Sequence, residues 1–145
     1  MNPSRFNSAR HAYGIANQTA LLPFLESYLG EPIVETTKFY DTIDGKTSTK
    51  DIEIKSRTPV YHYTDPLIAR EGWLIPTCKI THAKKSGRPF VCFYYWKKDE
   101  SVWEFVYSEE NLKGLVPFVP GWHKEKQPHY TIPQDRWRCI REPVA

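Results

Sequence analysis

The chain has 145 residues, 40 % of them apolar and 26 % charged, with a formal net charge of +3, which suits one folded domain over 1–145 and excludes a disordered chain. No run approaches the roughly 20 apolar residues of a membrane helix, and the opening MNPSRFNSARH has no hydrophobic core behind its charges, so neither a span nor a signal peptide is expected. Three cysteines, Cys78, Cys92 and Cys139, are too few and scattered for a disulfide framework and point to a soluble, intracellular protein, while the small positive charge leans only weakly toward polyanions.

Residues 7–29 read as a first helix. Tyr13, Ala16, Ala20, Phe24 and Tyr28 recur at spacings of three and four, and Leu21 and Leu25 widen the stripe. Ser8 is the candidate N-cap and Gly30 the C-terminal stop. Pro23 conflicts with the pattern, because proline removes a helical hydrogen bond, so a kink or break is expected there. A strand-like run over 33–42 follows, then Asp44-Gly45 with a polar loop, then a second extended run, DIEIKSR, from Asp51. The expectation is an antiparallel hairpin with its turn at Asp44-Gly45. In the second strand Ile52 and Ile54 face one way, and Asp51, Glu53 and Lys55 the other.

Pro59 and Pro66 break residues 58–75 into a loop, with a short helical turn near Pro66. Residues 77–85 form a second helix, stopped by Ser86-Gly87-Arg88-Pro89. Runs over 90–96 and 102–107 make another hairpin around the charged turn Lys97-Lys98-Asp99-Glu100. The tail over 115–140 is rich in proline and aromatic residues, with short extended pieces and no clear helix. The order predicts an α/β fold, a central mixed β-sheet flanked by helices.

Glu53 and Lys55 carry the chemistry of interest. Cutting a phosphodiester needs an activated water, stabilisation of charge at phosphorus and help for the leaving oxygen. Carboxylates holding Mg²⁺ supply all three through the metal. Magnesium keeps several waters, so one or two carboxylates plus substrate phosphate suffice. One hairpin brings Asp41 from its first strand toward Glu53 and Lys55 on its second. The acid-x-lysine pattern alone is weak: with 17 acidic residues it arises about once or twice by chance, and it recurs at Asp44-Gly45-Lys46. The competing role for Glu53 and Lys55 is a solvated strand face with cross-strand ion pairs.

The order of the flanking parts adds to the pattern. AYGIANQTALLPFLESYLG precedes a strand reaching FYD, then DIEIKSRT, WLIPTCKITHAKK, FVCFYYW and WEFVY. From about Tyr13 to Tyr107 the chain resembles the PD-(D/E)xK nuclease superfamily, particularly its small phage and viral members. The resemblance implies a restriction-endonuclease-like core and metal-dependent hydrolysis of DNA. Asp41 and Glu53 would hold Mg²⁺, with Mn²⁺ as a substitute, and Lys55 would stabilise the transition state. Gln18 takes the place of a helix residue that is more often glutamate, and would anchor a metal-bound water. Lys79, Arg57 and Lys84 would face phosphate, and relatives of this kind often work as homodimers. Asp44 is the rival to Asp41 as ligand, but its turn chemistry assigns it a structural role. Asp51 shares the face of Glu53, with solvent pairing as its expected state. A catalytically silent module that binds nucleic acid or protein is the alternative; intact Asp41, Glu53 and Lys55 argue against it, while Gln18 leaves it open.

Cys78 and His82 have a spacing that places two zinc ligands side by side. Nothing nearby in sequence completes a tetrahedral site, and Cys92 would have to arrive from a neighbouring strand. His123 and His129 read as exposed loop histidines. No phosphate-cradling glycine loop and no nucleophile elbow are present. The five tryptophans read as core or edge cover before they read as base-stacking surfaces.

Overall fold

A computed structural model describes residues 8–36, 43–57, 74–97, 99–119 and 127–144, with only the backbone described for residues 8–17 and for Arg57. Asp41, Pro59, Pro66 and His123, each singled out above, lie outside the described residues, as do two of the five tryptophans, Trp73 and Trp122.

Helix α1 spans Ser8–Leu29 and runs through Pro23 without a break. Pro23 sits on the exposed face, as does Thr19, whose carbonyl loses its helical partner and is left to water. Among side chains described, the buried stripe is Gln18, Leu21 and Leu25, whereas Ala20 and Tyr28 are exposed and Phe24 is half-buried. The expected stripe was therefore rotated: the larger aliphatics that flanked it take the core face. Gly30 ends the helix at φ 74°, donating its N–H to the Glu26 carbonyl at 2.8 Å, a conformation glycine adopts without strain.

Strands β1 (Val34–Glu35), β2 (Gly45–Lys46) and β3 (Asp51–Arg57) form an antiparallel meander. The expected turn at Asp44-Gly45 is displaced to residues 47–50, and Gly45 itself pairs with Ile52. Thr47 makes the turn: its N–H donates to the Lys50 carbonyl at 2.8 Å, and its Oγ1 accepts from the N–H groups of Thr49 and Lys50 at 3.2 and 2.9 Å. Gly45 serves close approach instead. A Cβ there would meet Ile33 Cγ2 at 3.0 Å and the Val34 carbonyl at 3.2 Å, which is tight for any side chain.

Strand β4 (Leu74–Pro76) leads straight into helix α2 (Thr77–Ser86), which stops at Gly87 as the sequence predicts. Strands β5 (Phe90–Trp96) and β6 (Ser101–Val106) form the expected hairpin. A short helix α3 (Glu109–Leu112) follows, capped by Ser108, whose Oγ accepts from Asn111 N–H at 3.0 Å. Strand β7 (His129–Thr131) pairs with β4 as a separate two-stranded sheet. After a 3₁₀ turn over Gln134–Arg136, strand β8 (Arg138–Arg141) closes the main sheet, whose order is β1-β2-β3-β5-β6-β8.

The main sheet is mixed, because β5 lies parallel to β3 while its other neighbour, β6, is antiparallel. All seven residues of β5 are buried, as a central strand covered on both faces requires. They alternate between two cores. Val91, Phe93 and Tyr95 join Leu21, Leu25 and Ile52 on the α1 side, while Phe90, Cys92, Tyr94 and Trp96 join Ile75, Ile80, Ala83 and Trp137 on the α2 side. Among the described residues, no helix is long and apolar enough to cross a membrane.

Candidate active site on the third strand

The alternation predicted for β3 decides what faces what. Ile52 and Ile54 join the core under α1, so Asp51, Glu53 and Lys55 point toward the face covered by α2. Glu53 is only 2 % exposed. A carboxylate that deep needs compensating charge, and two ammonium groups provide it on a single oxygen. Lys55 Nζ lies 3.3 Å and Lys79 Nζ 3.2 Å from Glu53 Oε2. The other oxygen, Oε1, is buried with no hydrogen-bond partner. Burial pushes the Glu53 carboxyl up, but Lys55 and Lys79 outweigh it and hold the group below its ordinary value. Burial pulls the Lys55 ammonium down, yet Glu53, helped by Tyr94 and Asp44, raises it well above the usual lysine range.

Asp44 stands beside this cluster. Its backbone N–H donates to the Ile52 carbonyl at 2.9 Å, and its carboxylate accepts from Ile54 N–H at 2.6 Å. Those two bonds bracket Glu53 and bring the Asp44 and Glu53 carboxyls within hydrogen-bonding reach of each other. Burial, followed by the charge and hydrogen bond of Glu53, pushes Asp44 up to about 7. Asp44 thus keeps a structural bond to the β3 backbone and also stands next to Glu53. The signal was present as the second acid-x-lysine pattern, but Asp44-Gly45 reads as a turn until the β2–β3 register is known.

The remaining candidates separate. Gln18 reaches the same region, donating through Nε2 to Glu35 Oε2 at 3.1 Å and to the Asp44 carbonyl at 3.4 Å. It holds the β1 and Asp44 segments to α1. Arg57 ends β3 opposite Trp96. Lys84 turns to Glu109, 3.7 Å away on α3, with both side chains exposed, and the structure does not bring it to Glu53. Lys79, expected to face phosphate, contacts Glu53 directly.

Asp51 departs from the solvent pairing expected of it. It is 1 % exposed and takes a bond from Arg88 Nε at 2.8 Å, with His82 Nε2 3.6 Å from its other oxygen. Arg88 also donates to the carbonyls of Thr47 and Lys50 at 2.9 and 3.2 Å, so this pair clamps the β2–β3 turn. His82 turns to Asp51 and Cys78 accepts from Gln127 Nε2 at 3.2 Å, and among the described residues no further ligand joins the pair on α2. Cys92 is Glu53's neighbour across β3–β5, and burial followed by the charge of Glu53 keeps its thiol well above the ordinary range. His129 is buried in β7 rather than exposed, its Nδ1 2.8 Å from the Gln127 carbonyl.

Among the described residues, no group of three or more His, Cys, Asp or Glu gathers to hold a metal. The donor set is instead two carboxylates, Asp44 and Glu53, sufficient for a cation that keeps most of its water. The buried Oε1 without a donor and the desolvated Asp44 leave a surplus of acceptors that a proton or a hard cation balances. Comparison with protein-family models, with curated proteins and with solved structures finds no match to this chain.

Proposed function

We propose that this chain is a metal-dependent nuclease of the PD-(D/E)xK type, hydrolysing DNA phosphodiester bonds with Mg²⁺ held by Asp44 and Glu53. The observation that carries the reading is Glu53 itself, whose Oε1 is buried without a partner beside a second carboxyl and opposite two ammonium groups. The succession α1, three-stranded meander, α2 and a parallel β5 beside β3 is compatible with a restriction-endonuclease-like core. Asp44 takes the role that the resemblance assigns to Asp41.

When bound, Mg²⁺ acidifies its water and offsets the charge that develops on the phosphate. Asp44 and Glu53 would hold the cation through their carboxylates. Lys55, half-buried on the same strand face, directs an ammonium toward the non-bridging phosphate oxygens. Gln18 acts at one remove by keeping Glu35 and the Asp44 backbone in place. Basic side chains around the site bind backbone phosphates without reading sequence.

The test is cleavage of labelled linear, circular and branched DNA with Mg²⁺ or Mn²⁺, comparing wild type with Glu53→Ala and Lys55→Ala. Metal-dependent cutting lost in both variants is expected. One observation favours a second reading: two lysines already pair with Glu53, as in a structural ion cluster. DNA binding without cutting of any substrate would establish that silent module and overturn the nuclease.

A further inference from the structure

We infer that Lys79 is a second working ammonium of the site, which weakens the hold on the divalent cation and draws in the substrate phosphate; this rests on the nuclease reading above. Lys79 occupies the first turn of α2, and that turn is pinned from several sides. Thr77 N–H donates to the Pro128 carbonyl at 3.0 Å, and β4 pairs with β7 immediately before it. The Tyr94 hydroxyl accepts from Leu74 N–H at 3.1 Å and donates to the Leu74 carbonyl at 2.8 Å. The helix therefore delivers the ammonium to a fixed place. Its side chain is 15 % exposed, against 33 % for Lys55, and both contact the same oxygen of Glu53.

Charge counting separates two roles for such a residue. Among the described residues of the cluster, Asp44 and Glu53 contribute two negative charges when ionised, and Lys55 and Lys79 two positive ones. A divalent cation added to that balanced cluster leaves an excess of two positive charges. Each ammonium then opposes the cation, and the same excess attracts a phosphodiester. A lysine present only to hold Glu53 in place would act in the opposite sense, since its loss would misplace a metal ligand. The sign of the change in cation affinity therefore distinguishes an electrostatic role from a scaffolding one.

The experiment is calorimetric titration of Mn²⁺ into the DNA-free protein, with folding checked by circular dichroism. Lys79→Met is expected to bind Mn²⁺ about tenfold more tightly, a charge at this range being worth that order in a half-buried site. Its turnover of DNA should fall, and Lys79→Arg should keep the Mn²⁺ affinity of the wild type. Unchanged or weaker Mn²⁺ binding by folded Lys79→Met would overturn the inference, as would tighter binding by Lys79→Arg. Lys79→Gln replaces the methionine variant if that one does not fold. Glu53→Gln keeps the two proposals apart: Mn²⁺ binding that survives in it, or is lacking in the wild type, sinks the nuclease reading and this inference with it. Where Glu53→Gln abolishes binding, the sign at Lys79 alone decides.

Discussion

The N–H of Ile54 donates to the Asp44 carboxylate at 2.6 Å, so the acid before β2 is bonded to the residue between Glu53 and Lys55. This bond sets the spacing of the two carboxyls, and it is the reason Asp44 is the partner of Glu53 in the proposed site. Asp44→Asn keeps the size and can still accept from Ile54, but it loses the charge. Removing one preorganised charge-bearing group typically costs on the order of 10²–10³ in kcat. Asp44→Asn should lose at least about a hundredfold of nuclease activity by that measure, and Asp41→Asn far less. A steady-state assay of both variants checks the assignment, and the reverse order would return the role to Asp41.

Because Asp44 is pushed up to about 7, it carries a proton below that pH which an incoming cation must displace. Mn²⁺ affinity should therefore climb as pH rises toward about 7 and level off above it, with a proton released on binding below 7. Stability of the metal-free chain runs the other way. A folded-state value raised above the ordinary 3.8 contributes stability that is complete below 3.8 and is lost as pH rises through about 7. Asp44→Asn should flatten both profiles. Calorimetry in buffers of different ionisation enthalpy counts the protons, and a wild-type affinity independent of pH between 5.5 and 7 would contradict the raised value.

Much of the frame was legible because it follows from local chemistry. The run FVCFYYW and its charged turn forecast the β5–β6 hairpin, Gly87 forecast the end of α2, and period-two alternation put Glu53 and Lys55 on one face. What stayed hidden depends on contacts distant in sequence. Gly45 looks like a turn residue, but its small size serves the approach of Ile33, just before β1, and only the strand register exposes that. Lys79 and Glu53 are brought together by the parallel pairing of β3 and β5 and by α2 lying across that face. The burial of Asp51 by Arg88 and of Trp137 in the α2-side core has the same origin, since no local pattern announces a partner so far along the chain.

Arg88 supports the fold away from the chemistry. Breaking a buried ion pair typically costs 3–5 kcal/mol, but Arg88 is about a third exposed, which trims the expectation for Arg88→Met to about 2 kcal/mol. The loss should appear as a lower urea midpoint with an unchanged m-value. Folded protein should keep its Mn²⁺ affinity, because Arg88 pairs with Asp51 and not with Glu53. A loss of metal binding in step with stability would mean that the Thr47–Lys50 turn and the Asp44–Glu53 pair move as one unit.

Tyr94 connects the central strand to the segment that launches α2. Its hydroxyl satisfies both the N–H and the carbonyl of Leu74 in a buried setting. Tyr94→Phe keeps the ring contacts with Trp96 and Trp137 but orphans two backbone groups, at about 1–3 kcal/mol. The expected result is a loss of stability in that range, together with faster amide exchange at Leu74. The loosening should also reach the helix start. If Lys79 is held in place through β4, Tyr94→Phe should lower turnover several-fold although Tyr94 is not one of the proposed metal ligands. Unaltered turnover alongside accelerated exchange at Leu74 would show that α2 keeps its place through β7 and its own packing against the sheet.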